Sequence, residues 1–194
     1  MKIFLIILFQ LLLLPATSLC SVGQVLAETT FSAEMQSTVR PNTFPNDSVL
    51  LDYIQKAHLN YMWDGAEPNS GLAPERIHLD GVYPENDAHI VTTGGSGFGI
   101  AGLLVGIDRG VINRKEGVKR LQRAVRFLSK ADRFHGVWPH WIDGRTGKTK
   151  PFGPKDDGGD LVESSFLMAS LLCARQYFAH GNSEEQRLAA DIDM

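Results

Sequence analysis

Three features of the 194-residue sequence predict an all-α fold. Five segments carry apolar residues at helical spacing, capping residues precede them, and long Pro- and Gly-rich loops join them. Helix following helix with elaborate loops is the pattern of an α/α toroid, in which inner and outer helices alternate and the loops at one end build a cleft. A closed toroid of six helix pairs, (α/α)6, needs about twelve helices, or at least ~250 residues at ordinary helix and loop lengths. With about five helices expected, the chain reads as an incomplete toroid, the N-terminal portion of a larger domain.

The N-terminus reads as an export signal. Lys2 precedes a nearly unbroken apolar run over 3–14, too short to span a membrane comfortably, and Val25-Leu26-Ala27 offers a small-residue cleavage site. Residues 1–27 are therefore read as a signal peptide, giving a mature start near Glu28 and a secreted or periplasmic location. A lipid anchor at Cys20 is the rival; the bulky Leu19 before it disfavours that reading, and only lipidation would bring the chain to a membrane. Removing 1–27 takes away Lys2 and no acid, so the formal charge of −3 becomes −4, which excludes nucleic acid as a partner. It also removes Cys20 and leaves Cys173 alone, so stability must come from packing rather than a disulfide.

Residues 28–45 are Thr, Ser, Gln, Asn and Pro without periodicity, a flexible tether to a domain covering 46–194. Asn46, Asp47 and Ser48 supply caps for a first helix along Leu50, Leu51, Ile54, Ala57, His58 and Tyr61, ending at Asp64-Gly65. The long stretch that follows, rich in Pro and Gly, is expected to be a structured loop. A second helix is expected from about Ser96 to Arg109. A third follows Gly110, with Asn113 and Glu116 in a capping-box pattern and Val118, Leu121, Val125 and Leu128 on its apolar face.

"HGVWPHWIDGRTGKT", from His135, alternates Val137, Trp138, His140 and Trp141 ahead of an Asp143-Gly144 turn, predicting a small β-hairpin or wide loop. Alternation would put Trp138 and His140 on one face and Trp141 on the other. These three rings are candidate sugar-binding residues, because an aromatic face covers the C–H surface of a pyranose; they are equally candidates for hairpin core. Residues 161–178 are apolar on nearly every side, as in a helix buried on more than one face. Ser183 and Gln186 can cap one more helix.

Between hairpin and apolar helix lies "KDDGGDLVESSF", residues 155–166. Asp160 and Glu163 form a capping pattern, with Glu163 expected to reach back to the helix start. Asp156, Asp160 and Glu163 also have i, i+4, i+7 spacing, although Gly158-Gly159 should keep Asp156 in the preceding loop. A calcium loop lacks the alternating acids and distal Glu that it needs, and the histidines show no paired ligand spacing, so no metal or cofactor is expected. Gly97-Phe98-Gly99-Ile100-Ala101-Gly102 is a literal dinucleotide fingerprint, but polar residues separate it from any strand and another helix follows; close helix packing is the better use of its glycines. Ser96 is not in a nucleophile elbow, since Phe98 stands where that motif needs glycine.

Taken in order, "TTGGSGFGIAGLLVGIDRG", "GVWPHWIDGRTG" and "DDGGDLVESSFLM" resemble the glycoamylase-like domain family, which includes bacterial endo-β-1,2-glucanases of glycoside hydrolase family 144 and domains of cyclic β-1,2-glucan synthases. The likeness covers about residues 47–194. It implies an (α/α)6 toroid, a glucan substrate, inverting hydrolysis without a metal, and acidic site positions at Asp156, Asp160 and Glu163. It also implies a general acid on a segment downstream of these motifs. Inversion requires an acid for the leaving oxygen and a carboxylate that activates water, about 6.5–9.5 Å apart. Asp156 is the candidate for activating water, with Asp160 and Glu163 binding sugar hydroxyls or tuning that base. The alternative is a noncatalytic carbohydrate-binding or degenerate form of the same fold.

Overall fold

A computed structural model describes residues 43–84 and 86–193. The signal peptide, Cys20 and most of the tether lie outside the described residues. Among the described residues seven elements follow in order: α1 (Asp47–Trp63), β1 (Ile90–Thr92), α2 (Thr93–Asp108), α3 (Arg114–Leu128), β2 (Trp141–Asp143), α4 (Leu161–Phe178) and α5 (Ser183–Ile192). The expected five helices are present. Residues 78–82 form a small separate unit, a turn in which Gly81 N–H donates to His78 O and Val82 N–H to Asp80 Oδ1.

Local chemistry sets the helix starts. Asn46 accepts from Val49 N–H, and Asn113 accepts from Lys115 and Glu116 N–H. The side chain of Glu116 pairs with Lys119 rather than closing a box. The last helix begins one residue earlier than Ser183 and Gln186 imply: Asn182 is the cap, and Glu185 returns to the Asn182 N–H in a full capping box.

The second helix also starts earlier than expected, at Thr93 rather than near Ser96. Its Gly-Gly-Ser-Gly start is helical because packing overrides propensity. A Cβ on Gly97 would stand 2.6 Å from Phe166 O of α4, and one on Gly106 2.8 Å from Leu59 of α1. α2 and α4 make the most extensive helix contact and run in the same direction, with Gly94 near Glu163 and Gly97 near Phe166 and Leu167. Ser96 is buried as a strut, its hydroxyl donating to Thr92 O and accepting from Ala73 N–H.

The core joins Leu103 and Ile107 of α2, Leu121, Val125 and Leu128 of α3, Leu167, Leu171 and Phe178 of α4, and Leu188 of α5. Helix α4 departs from its expected burial. One stripe, from Ser164 through Leu167, Leu171 and Ala174 to Phe178, is buried, whereas Leu161, Val162, Phe166, Met168 and Leu172 are exposed. Its described neighbours, α2 and α5, cover only that stripe. Among the described residues no helix is long and apolar enough to cross a membrane.

Candidate functional site

β1 and β2 pair antiparallel, with Val91 opposite Ile142 and Thr92 opposite Trp141. The expected hairpin exists, returning through Asp143 N–H to Lys148 O and Lys150 N–H to Trp141 O, and its first strand is also zipped to β1. Asp143 pins the turn. Burial alone would raise its carboxyl, but the Arg145 side chain and the Arg145 and Thr146 N–H groups hold it below the usual range. On the other side of β1, Thr92 N–H donates to Ala73 O and Glu75 N–H to Ile90 O, which brings Glu75 to the same end of the molecule.

The segment before β2 is tied to two helix starts. Thr93 of α2 donates its N–H to His140 O and its hydroxyl to Pro139 O; Asp160 N–H donates to Trp138 O, and Trp138 N–H to Ser164 Oγ of α4. His140 therefore lies between the two starts. Asp160 is the N-cap of α4, its Oδ1 accepting from Val162 and Glu163 N–H at 2.9 and 3.0 Å. Glu163 does not reach back as a capping box would. Its Oε2 instead accepts the Gly94 N–H of α2 at 2.8 Å. His140 Nδ1 stands 3.2 Å from Asp160 Oδ2, and Nε2 stands 3.8 Å from Glu163 Oε2. All three side chains are partly open to solvent, between 20% and 30% exposed.

The rings divide differently from simple alternation. Trp138 is buried, its indole N–H donating to Leu128 O and its face covered by the Arg133 guanidinium, so it serves as core. His140 and Trp141 do not point to opposite faces: their rings stack at 3.8 Å and 13°. The reason is that residues 138–140 precede β2 and bend at His140, so strand alternation does not apply to them. Trp141 also meets Phe152 at 4.4 Å and donates its Nε1–H to Glu75 Oε2 at 2.7 Å.

The structure thus brings together His140, Trp141, Asp160 and Glu163. Asp156 sits in the loop before α4, half-buried, with its N–H donating to Gly153 O. Among the described residues no hydrogen bond or ion pair joins it to Asp160 or Glu163. Sequence reasoning missed Glu75 and Phe152. An aromatic between Pro151 and Pro154, just ahead of an acidic cluster, was the available signal for Phe152; Glu75 is 66 residues from Trp141 and had none. Among the described residues no cluster of His, Cys, Asp and Glu could hold a metal ion.

No family model matches the chain. An exo β-1,2-glucooligosaccharide sophorohydrolase (non-reducing end) of Parabacteroides distasonis is 52% identical over 158 residues, which is 80% of this chain. Over the matched residues the chain is homologous to bacterial β-1,2-glucanases. The endo-β-1,2-glucanase of Chitinophaga pinensis, solved with sophorotriose and glucose, matches 78% of this chain at 60% identity and a TM-score of 0.75. A solved β-1,2-glucanase of Parabacteroides distasonis matches 79% at 51% identity and a TM-score of 0.71. The chain shares their toroid fold over the matched part. It spans 21% of the curated relative's length and 36% of the Chitinophaga chain.

Proposed function

We propose that this chain forms the carboxylate side of the cleft of a secreted hydrolase that cleaves β-1,2-glucan with inversion. The observation that carries the reading is the placing of Asp160 and Glu163 together at the start of α4, with Glu163 bound to the start of α2, beside the partly open stack of His140 and Trp141. Rigid elements hold both acids, and preorganised groups of this kind are what hydrolysis of a glycosidic bond requires.

Roles follow from what each carboxylate already does. Asp160 spends Oδ1 on the cap and Glu163 binds Gly94 N–H through Oε2, so both are fixed in place and suited to hold sugar hydroxyls. Asp156, on its loop and outside that network, is the group that activates water. The general acid then belongs to a segment outside these motifs, as inversion demands a second carboxyl on the opposite side of the bond. Trp141 and Phe152 supply the apolar platform for a pyranose ring. Export rests on the leader, and mass spectrometry of the secreted product should find Glu28 at or near its N-terminus; an acylated Cys20 there would replace export by anchoring.

The test is incubation with β-1,2-glucan, following reducing ends and the anomer first released by NMR. The α-anomer is expected, with Asp156→Asn lowering turnover at least about a hundredfold. Binding of the glucan without turnover would assign the noncatalytic reading instead.

A further inference from the structure

The stacking of His140 on Trp141 leaves the imidazole edge, not its face, directed at the two carboxylates. One nitrogen stands beside Asp160 Oδ2 and the other beside Glu163 Oε2. The main chain of His140 is held as well, its carbonyl accepting Thr93 N–H at the start of α2. Trp141 in turn is fixed by β1 pairing and by Glu75. We propose that His140 is the positioning residue of the Asp160–Glu163 pair, a wedge whose two nitrogens set the separation and orientation of the two carboxylates.

The alternative use of such a histidine is packing alone. Packing needs the ring and its stacking on Trp141, but it is indifferent to the nitrogens. The imidazole Nδ1 stands 3.2 Å from Asp160 Oδ2, close enough for a proton on it to be shared, whereas Nε2 at 3.8 Å from Glu163 Oε2 is a spacing contact rather than a hydrogen bond. The ring therefore replaces water as the partner of Asp160 Oδ2, the oxygen that the cap leaves unfilled, while at Glu163 it stands beside the same Oε2 that the Gly94 N–H holds. Misplacement of a binding carboxylate by about 1 Å costs up to about a hundredfold in rate.

The proposal rests on the hydrolase reading for its kinetic test and on the structure alone for its spectroscopic one. His140→Phe keeps the ring and the stacking while removing both nitrogens. It should retain the near-ultraviolet circular dichroism of the tryptophans and lower kcat on β-1,2-glucan between tenfold and a hundredfold. KM should change by no more than about twofold, since Trp141 and Phe152 stay in place. Full kcat in that variant would overturn the proposal. Independently of any activity, the imidazole 15N shifts of His140 should move in Asp160→Asn and again in Glu163→Gln, at different nitrogens. Shifts untouched by both substitutions would overturn it even in an active enzyme, whereas shifts that respond in a protein inert toward glucan would leave the wedge standing and dismiss the hydrolase reading.

Discussion

Glu163 and Gly94 are partners across 69 residues of sequence: Glu163 Oε2 accepts the Gly94 N–H, and no side chain fits at Gly94 without displacing that carboxylate. Gly94→Ala tests the relationship. Its methyl collides with the Glu163 carboxylate, while the gain in helix propensity, about 1 kcal/mol, offsets the strain. Turnover of β-1,2-glucan should fall at least about tenfold with a melting temperature within a few degrees of the parent. Gly102→Ala is the control: a Cβ there meets nothing within 4 Å, so stability should rise slightly and turnover stay unchanged.

Asp160 combines an observed cap with the proposed role of a site carboxylate, and two substitutions separate these roles. Asn is as good a cap as Asp, so Asp160→Asn should melt like the parent and still lose most activity. Asp160→Ala should lose the same activity and about 1 kcal/mol of stability besides. Equal melting of the two variants in a thermal scan would contradict the cap that Val162 and Glu163 N–H define.

How much of this was legible in sequence depends on distance along the chain. The starts of α1 and α3 followed from Asn46 and Asn113 because a cap and its N–H groups are neighbours. The glycines of α2 were legible as packing residues, but the start of that helix was not. Thr93 is drawn into α2 by bonds to Pro139 and His140, which no local pattern announces. Glu163 was legible as an acid at a helix start, and its partner was misread for the same reason: the local option was Asp160, the actual one Gly94. Trp138 and Trp141 are three residues apart and alike in sequence, yet one is core and the other is partly open beside His140, because the bend at His140 turns only the second outward.

A pH dependence follows from Glu185. Arg114 donates to both of its oxygens, at 2.6 and 3.2 Å. That hydrogen bonding, aided by the Arg114 charge and the Asn182 N–H, holds the carboxyl below its ordinary range against the opposing effect of burial. A depressed carboxyl contributes stability that is complete above its unfolded value of about 4.3 and is lost as pH falls through the folded value. Glu185→Gln should therefore be less stable than the parent at pH 7, by about 1 kcal/mol given the partly exposed Arg114. The gap between the two melting curves should begin to narrow below the unfolded value of about 4.3 and close once pH lies below the folded value, and a gap that does not narrow at all down to about pH 3 would contradict the linkage.

The ring stack makes the last prediction. Phe152 is exposed and touches Trp141 at 4.4 Å, so Phe152→Ala removes sugar-facing surface while costing little stability. If the platform binds substrate equally in ground and transition states, KM should rise severalfold with kcat retained. Trp141 carries more. Trp141→Ala takes away the platform, the support of His140 and the donor to Glu75 together, so kcat and KM should both deteriorate, by about tenfold or more each. Trp141→Phe keeps an aromatic face against His140 but loses the N–H and part of the ring area, leaving the Glu75 carboxylate without that donor; its kcat should lie between the parent and the alanine variant. Steady-state kinetics on β-1,2-glucan read all three, and a Phe152→Ala enzyme with normal KM and a slowed kcat would move Phe152 from binding the sugar to supporting the acids.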